Sequence, residues 1–331
     1  MTFADALYER LLIDAEWSVR RPDGFTWWPH RLAQVVRLEP ASGGAARIHV
    51  ETDVLLAGAV TERLAATLVE LMRHPAMSAF VHVAADGAVR LWSAARVSRE
   101  SAPVVLPRLA TAAALQATYA EMGLESLTGR TGLSPATSAH PDSGARPHAD
   151  GLLDLVAARI APEGEGASLY AGSDEWPAAA DALEANGWSV SVDARGLTAR
   201  CPPGLLLEAR HAETHPELGS GLFVRLFLPS ARVAPSARAA LQLNELERHE
   251  AGPAAVSTGA WCLEQSEPAI AYDVRPAPPR LAFVEFLPNA LFLPGLVAES
   301  VRDVASRASR ASWASRADYF GTNFMAVPFM Q

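Results

Sequence analysis

The chain has 331 residues, half of them apolar and 20% charged, with a formal net charge of −9. This length allows two domains with sizeable cores, and the composition is typical of a globular protein. A net negative charge opposes nucleic acid, whose phosphates require clustered cations. All 28 basic residues are arginine, which excludes Schiff-base chemistry and a phosphate-binding P-loop because both need a lysine.

The cysteines, the N-terminal residues and the longest apolar stretch indicate where in the cell the protein is expected. Cys201 and Cys262 lack CxxC spacing, so no disulfide framework is expected. Acidic residues stand where a secretory signal would place basic ones. The apolar stretch 281–297 is interrupted by Glu285 and two prolines. Its uninterrupted apolar segments are therefore too short for a membrane-spanning helix. We therefore expect a cytoplasmic protein that does not enter a membrane.

In chain order, the sequence of the first half predicts a helix, a set of strands, a helix, a hairpin and a helix. The apolar period predicts a helix over 3–14, and strands follow at 16–20, 25–28, 31–38 and 46–55. A helix capped by Thr61 buries Leu64, Leu68 and Leu71. Asp86-Gly87 indicates a hairpin. The last helix, 104–121, tolerates Pro107 in its first turn.

The second half predicts the same order of elements. Residues 123–149 are rich in Gly, Ser, Thr and Pro and are interpreted as an interdomain linker. Predicted helices cover 150–160, 174–185, 236–249 and 294–317, and Asn186-Gly187 favours a helix end. Predicted strands cover 188–193, 197–201, 204–210, 221–228, 256–264 and 268–275.

Two stretches of the chain repeat each other without a gap. Residues 61–74 match 236–249 at an offset of 175, and Trp17-Ser18 upstream recurs as Trp188-Ser189. Gly24 recurs as Gly196, and Leu106-Pro107 recurs as Leu293-Pro294. These ordered matches indicate a tandem duplication. The predicted fold is α+β, with two lobes, 1–122 and 150–331, each an antiparallel sheet covered by helices.

This order of elements, with the two final helices that begin at Leu106-Pro107 and Leu293-Pro294, resembles the type III secretion chaperone and YbjN-like superfamily. The resemblance covers most of both lobes and leaves out the linker and the residues after Phe320. It implies a domain that binds protein partners without catalytic residues. Because the secretion chaperones form two-fold dimers, it also implies that a tandem chain imitates such a dimer as a monomer with internal pseudo-two-fold symmetry.

Motifs for catalysis or metal binding are weak. His211-Ala-Glu213-Thr-His215 has the spacing of a helical zinc site, but Pro216 and the apolar flanks favour a hairpin loop. His74 and His249 end matched helices, where cations favour the helix dipole. The sequence has no G-x-S-x-G motif, and Cys262 is expected in the core. We expect no metal, no cofactor and no enzyme activity.

Aromatic and basic residues offer three candidate contact regions. Neighbours on a strand point to opposite faces, so one of Trp27 and Trp28 either packs under a covering element or lies exposed as a partner-binding anchor. The apolar tail 319–330 is expected to dock on the body. The arginines of the final helix, Arg302, Arg307, Arg310 and Arg316, indicate a solvated face or, as the alternative, a site for an anionic partner.

The sequence therefore favours a non-enzymatic protein-binding module, a chaperone or adaptor for a protein partner, with Trp27 and Trp28 as candidate partner-binding residues. The alternative is an enzyme or small-ligand sensor with its site in the cleft between the lobes. On the first hypothesis a client contacts both lobes at once, and a break near Ser138 leaves two folded lobes that each bind weakly.

Overall fold

The computed structural model contains two antiparallel sheets, each with helices packed on one face. It describes residues 2–83, 85–160, 175–202, 204–215, 218–229, 234–249, 256–265, 279–288 and 296–310. We call residues 2–160 the first lobe and residues 175–310 the second lobe.

The first lobe is built from four helices and seven strands. In chain order these are α1 (Phe3–Arg10), β1 (Ser18–Arg21), β2 (Gly24–Trp27), β3 (Gln34–Pro40), β4 (Ala46–Leu56), α2 (Glu62–Leu71), β5 (Ala79–Val83), β6 (Ala88–Val97), α3 (Ala102–Thr131), β7 (Ser134–Pro135) and α4 (Gly151–Ile160).

The described part of the second lobe follows the same plan. Its elements are α5 (Glu175–Glu184), β8 (Ser189–Asp193), β9 (Gly196–Cys201), β10 (Leu205–His215), β11 (Gly219–Phe227), α6 (Ala237–His249), β12 (Val256–Ser257), β13 (Ala260–Gln265), β14 (Pro279–Pro288) and α7 (Leu296–Arg310).

The two sheets have the same topology. Neighbouring strands run β1-β2-β3-β4-β6-β5 in the first lobe and β8-β9-β10-β11-β14-β13 in the second, all antiparallel. Helices α1 and α3 cover one face of the first sheet, and α5 and α7 cover the corresponding face of the second. The predicted α+β fold with two similar lobes is confirmed. The opposite face of each sheet, which these helices do not cover, is called its open face.

Matched glycines mark the same close approach of two paired strands in both lobes. Gly24 pairs with Arg37, and Gly196 pairs with Arg210. Their φ angles are +154° and +159°, and a Cβ on either residue would stand 2.0 Å from a carbonyl oxygen of the next strand, that of Val36 or Ala209. Any side chain at these positions would push the strands apart, which explains why glycine recurs here.

We expect Gly24→Ala and Gly196→Ala each to reduce the free energy of unfolding by about 3 kcal/mol, because the clash adds to an unfavourable φ. Gly129→Ala is the matched control, since it lies in a helix with open space around it, and it should stabilise slightly. Urea unfolding measures all three. Equal stability for all three variants would contradict the steric argument.

The matched helices α2 and α6 begin with the same cap. The Thr61 hydroxyl accepts a hydrogen bond from the Leu64 amide at 3.1 Å, and the Ser236 hydroxyl accepts one from the Ala239 amide at 3.1 Å. The predicted face Leu64, Leu68 and Leu71 is buried. The two helices end differently: α2 stops at Leu71 because Pro75 disfavours further helix, whereas α6 continues to His249.

The predicted linker is wrong over most of its length. Helix α3 continues to Thr131, and Leu124 and Leu127 in the predicted linker are buried. Pro107 lies inside this helix rather than in its first turn. Beyond it, β7 pairs with β4, and the Asp150 amide donates to the Pro29 carbonyl at 2.7 Å. These residues therefore pack on the first lobe instead of connecting two free bodies.

One helix changes lobe, and the structure adds a strand that the sequence did not predict. The helix predicted over 150–160 belongs to the first lobe by its contacts, because α4 packs on α3 and Leu153 lies in the first lobe's core. The apolar stretch that begins at residue 281 forms β14, which is the second lobe's equivalent of β6. The predicted strand 268–275 and the tail 319–330 lie outside the described residues, as does Leu293-Pro294.

Among the described residues, one of the two buried apolar clusters is shared by the lobes, and the other lies mainly in the first lobe. The shared cluster contains Leu68 and Phe80 of the first lobe with Leu243 and Trp261 of the second. Helix α6 packs on α2 and β5, while α2 contacts β13. Strand β12 pairs with β6 beside β5, so the second lobe adds a strand to the first sheet. None of the described helices is long and apolar enough to cross a membrane.

Candidate functional site

Trp27 and Trp28, the predicted partner-binding pair, are both covered. Trp27 is 0% exposed and faces α3 beneath the first sheet, where its Nε1 donates to Gln34 Oε1 at 2.9 Å. Trp28 is 7% exposed. Its Nε1 donates to Ser138 Oγ at 3.0 Å, and its ring meets His140 edge to face. The residues interpreted as a linker cover Trp28, so neither indole is an exposed anchor.

The His211-to-His215 string also differs from its prediction. It lies in strand β10 rather than in a loop, and the β10–β11 register shifts between Arg210 and Glu213. The shift separates the two imidazoles: the His211 ring lies near Trp176, whereas the His215 ring lies 4.7 Å from Phe286. Within the described residues, no group of three His, Cys, Asp or Glu side chains could hold a metal.

A buried ionic cluster joins the lobes. Arg108 of α3 enters the second lobe, where its guanidinium pairs with Glu285 of β14 and lies 3.4 Å from Asp303 of α7. All three residues are less than a tenth exposed. Burial raises the pKa of Asp303 to about 6, although the charge of Arg108 lowers it. The cluster ties α3 to the second lobe.

Arg307 extends this cluster, and the prediction of a solvated arginine face on the last helix is wrong at this position. Arg307 is 1% exposed and its guanidinium lies 3.7 Å from the centre of the Phe283 ring. It also lies 3.4 Å from Glu247 and donates to the Val256 carbonyl at 3.1 Å. Arg302 is exposed, as predicted. Arg316 lies outside the described residues.

His49 and His215 are buried and neutral. Burial, aided by Arg47, lowers the pKa of His49 to about 4, and burial, aided by His74, lowers that of His215 to about 4. The unfolded chain protonates each imidazole near pH 6.5. Because the unfolded state then binds more protons, stability falls as pH drops from 6.5 towards 4.

We expect each of these histidines to remove about 2 kcal/mol of stability between pH 8 and pH 5. Asp303 acts in the opposite direction, because its raised pKa gives stability that is lost as pH rises through about 6. Replacing His215 by Gln should therefore flatten the pH dependence, whereas His148→Gln, at an exposed position, should not. Thermal unfolding from pH 8 to 5 measures the difference. Parallel curves for all three proteins would contradict this assignment.

Residues 71–78, from the last residue of α2 to the start of β5, contribute to two cavities at the lobe boundary. The first, which we call the charged cavity, has a volume of about 630 Å³ and lies between these residues and the open face of the second sheet. The second, the apolar groove, has a volume of about 480 Å³ and lies beside α3. Both volumes are in the usual range of ligand sites, about 300–1,000 Å³.

The charged cavity exists because the two open faces are covered differently. On the first sheet, the end of α6 reaches the face: Arg248 lies 2.8 Å from Glu51, and Arg47 donates to the Glu247 carbonyl. On the second sheet, the shorter α2 leaves only a loop, and Arg73 lies 4.0 Å from Glu264. The space that α6 fills in one lobe therefore stays open in the other.

Charged side chains line this cavity. Four arginines and three glutamates contribute, namely Arg73, Arg195, Arg210, Arg225, Glu208, Glu213 and Glu264. The Arg225 guanidinium donates to Glu208 at 2.8 Å and lies against the Phe223 ring. Cys262 also lines the cavity, but burial raises the pKa of its thiol, the reverse of what a nucleophilic thiolate requires.

The apolar groove has a different lining. It is formed by side chains of α3, the end of α2, α4 and the β10–β11 connection, with Tyr119, Met122 and Leu127 on one side and Leu218 of the second lobe on the other. Met122 is 71% exposed. His74, interpreted as a helix-dipole residue, lines this groove. Its counterpart His249 lies 2.8 Å from Glu245, away from both cavities.

Sequence reasoning missed the residues of both cavities. The strand registers make Arg37 and Arg210 equivalent, and hence Glu51 and Arg225. A carboxylate in one copy therefore stands where the other has a guanidinium, which marks the open faces as places where the lobes diverge. No family model, curated protein or solved structure matches this chain.

Proposed function

We propose that the protein is a non-enzymatic protein-binding module, a chaperone or adaptor, that holds an apolar segment of its partner in the apolar groove. The observation that carries this proposal is that both lobes contribute to the groove, through Tyr119 and Met122 on one side and Leu218 on the other. A client in the groove would contact both halves of the chain at once.

Three features support this proposal. Met122 offers a flexible, polarisable side chain of the kind found on adaptable binding surfaces. Its high exposure leaves apolar area for a partner to bury. The order of elements in each lobe resembles the secretion chaperone and YbjN-like superfamily, whose domains bind proteins. The Trp pair no longer belongs to the proposed contact surface, because both indoles are covered.

The test begins with affinity capture from the native host and mass spectrometry to identify the client. Calorimetry then compares full-length variants. We expect Met122→Glu to weaken client binding by about 2 kcal/mol, roughly 30-fold, because it places a charge in the groove. Since Met122 is exposed, its replacement should leave the melting temperature nearly unchanged.

Leu12→Glu is the matched control, because Leu12 is 78% exposed and does not line either cavity. It should bind the client as the unaltered protein does. If Met122→Glu also binds the client with unaltered affinity, the groove is not the binding surface.

A second candidate function is a small-ligand sensor with its site between the lobes. The charged cavity favours it, because basic, acidic and aromatic side chains converge there from both lobes.

A further inference from the structure

The arginines that line the charged cavity differ in how closely their guanidinium groups are paired with carboxylates. Arg225 has a close carboxylate partner in Glu208. Arg210 lies 3.6 Å from Asp193, and Arg73 lies 4.0 Å from Glu264, both beyond the length of a good charge-assisted hydrogen bond. Arg195 has no ion pair within the part of the chain that the structure describes. Three guanidinium groups therefore keep donors available for a further anion.

The formal charge of the lining limits the kind of anion. Four arginines and three glutamates leave a net charge of +1, in a chain whose overall charge is −9. A monoanion would neutralise this lining, whereas a dianionic phosphate would leave an excess negative charge beside three carboxylates. The planar fork of a guanidinium also matches the two oxygens of a carboxylate.

The remaining lining residues suit a ligand in which an apolar group is attached to the anion. Phe223, Phe286 and Met77 present aromatic and thioether surface to the cavity. Ser78 lines it as well, is 1% exposed, and has an Oγ with no hydrogen-bond partner among the described residues. Such a group is a candidate contact for a ligand, since an unpaired buried hydroxyl is costly.

The backbone beside Ser78 is strained. Met77 has a φ of +59° although it is not glycine, an unfavourable conformation that concentrates at ligand sites and switches. This conformation places Met77 and Ser78 against the open face of the second sheet, where both line the charged cavity.

We propose that the charged cavity binds a monoanionic carboxylate carried by an apolar or aromatic group. The carboxylate pairs with Arg210 and Arg195 at the cavity edge, and the apolar part lies on Phe223 and Phe286. The same chemistry occurs in a free small acid and in the C-terminal residue of a protein chain. This inference does not rest on the protein-partner proposal, which concerns the apolar groove.

Isothermal titration calorimetry of the full chain at pH 7 tests the proposal with defined probes. 3-Phenylpropionate should bind with a Kd on the order of 1 mM or tighter, and its neutral amide should bind at least about tenfold more weakly. A short peptide ending in phenylalanine, with and without C-terminal amidation, identifies the source. Tighter binding of the peptide acid than of 3-phenylpropionate assigns a protein C-terminus, and tighter binding of 3-phenylpropionate assigns a free metabolite-sized ligand.

Variants locate the site. Arg210→Gln and Arg195→Gln should each weaken binding of the acid by about tenfold, and both side chains are exposed enough for the fold to survive. Arg280→Gln is the matched control, because Arg280 is an exposed arginine of β14 outside the cavity lining. Its acid binding should equal that of the unaltered chain.

Three results would overturn the proposal. The first is the absence of saturable binding for every probe, and the second is equal affinity for acid and amide. The third is displacement of the acid by inorganic phosphate at a comparable concentration, which would remove the argument for a monoanion. None of these results affects client binding by the apolar groove, so the two proposals fail separately.

Discussion

Residues 1–160 and 175–331, produced as separate chains, are each expected to be unfolded or insoluble, and to form a soluble complex only when co-expressed. The reason is the shared core, in which Leu68 and Phe80 pack with Leu243 and Trp261. Separation would expose this apolar surface and strip β12 from the edge of β6. It would also leave Arg108 without Glu285, both of them buried charges.

Circular dichroism and urea unfolding of each half provide the measurement. The control is the full chain cut at a protease site inserted between residues 160 and 175, which should keep its fold until denaturant separates the pieces. A cooperative unfolding transition for either half alone would contradict the shared core. This expectation replaces the sequence-based one, in which a break near Ser138 leaves two folded lobes.

Replacing Arg108 by Ala is expected to lower the free energy of unfolding by about 3–5 kcal/mol. Removing one partner of a buried ion pair leaves the other charge unpaired in a low-dielectric site. Here two carboxylates, Glu285 and Asp303, lose their cation. The loss should be larger at pH 8 than at pH 5, because at the lower pH Asp303, whose pKa is raised to about 6, is mostly protonated.

A double variant separates charge from packing. Arg108→Met combined with Glu285→Leu removes the ion pair but keeps apolar volume, and it should recover much of the lost stability. Arg20→Ala is the surface control, since the exposed Arg20–Asp5 pair should contribute less than about 1 kcal/mol. If Arg108→Ala costs no more than Arg20→Ala, the cluster does not stabilise the junction of the lobes.

Local patterns in the sequence predicted the elements and their order well, because each signal acts within a few residues. The Thr61 cap, the Asp86-Gly87 hairpin and the recurrence of Gly24 as Gly196 depend on neighbouring backbone geometry alone. Each therefore survived comparison with the structure. The duplication supplied the topology, since matched anchors in the same order required matched strands and helices.

The errors arose where distant residues decide the outcome. Residues 123–131 look like a linker by composition, yet Leu124 and Leu127 are held in a helix by the core beneath them. The cover over Trp28 comes from Ser138 and His140, more than a hundred residues away. The charge of Arg307 predicts a solvent-exposed side chain. Its side chain is buried instead, because it pairs with groups on β12 and α6 that lie far away along the chain.

The cavities were beyond sequence reasoning for the same reason. The charged cavity depends on α2 being shorter than α6, and Pro75 gives a local cause for that difference. Which open face stays uncovered, however, is determined by how the lobes pack. Nothing local to Arg210 or Ser78 indicates that they line the same space.

The unequal lengths of α2 and α6 also bear on stoichiometry. In a dimer of identical subunits every substitution occurs twice, so a cavity opened on one side is opened on both. A fused pair is free of that constraint: one copy closes its open face with Arg248 on Glu51, and the other leaves the equivalent space lined by Arg225. A titration of the charged cavity should therefore saturate at one ligand per chain.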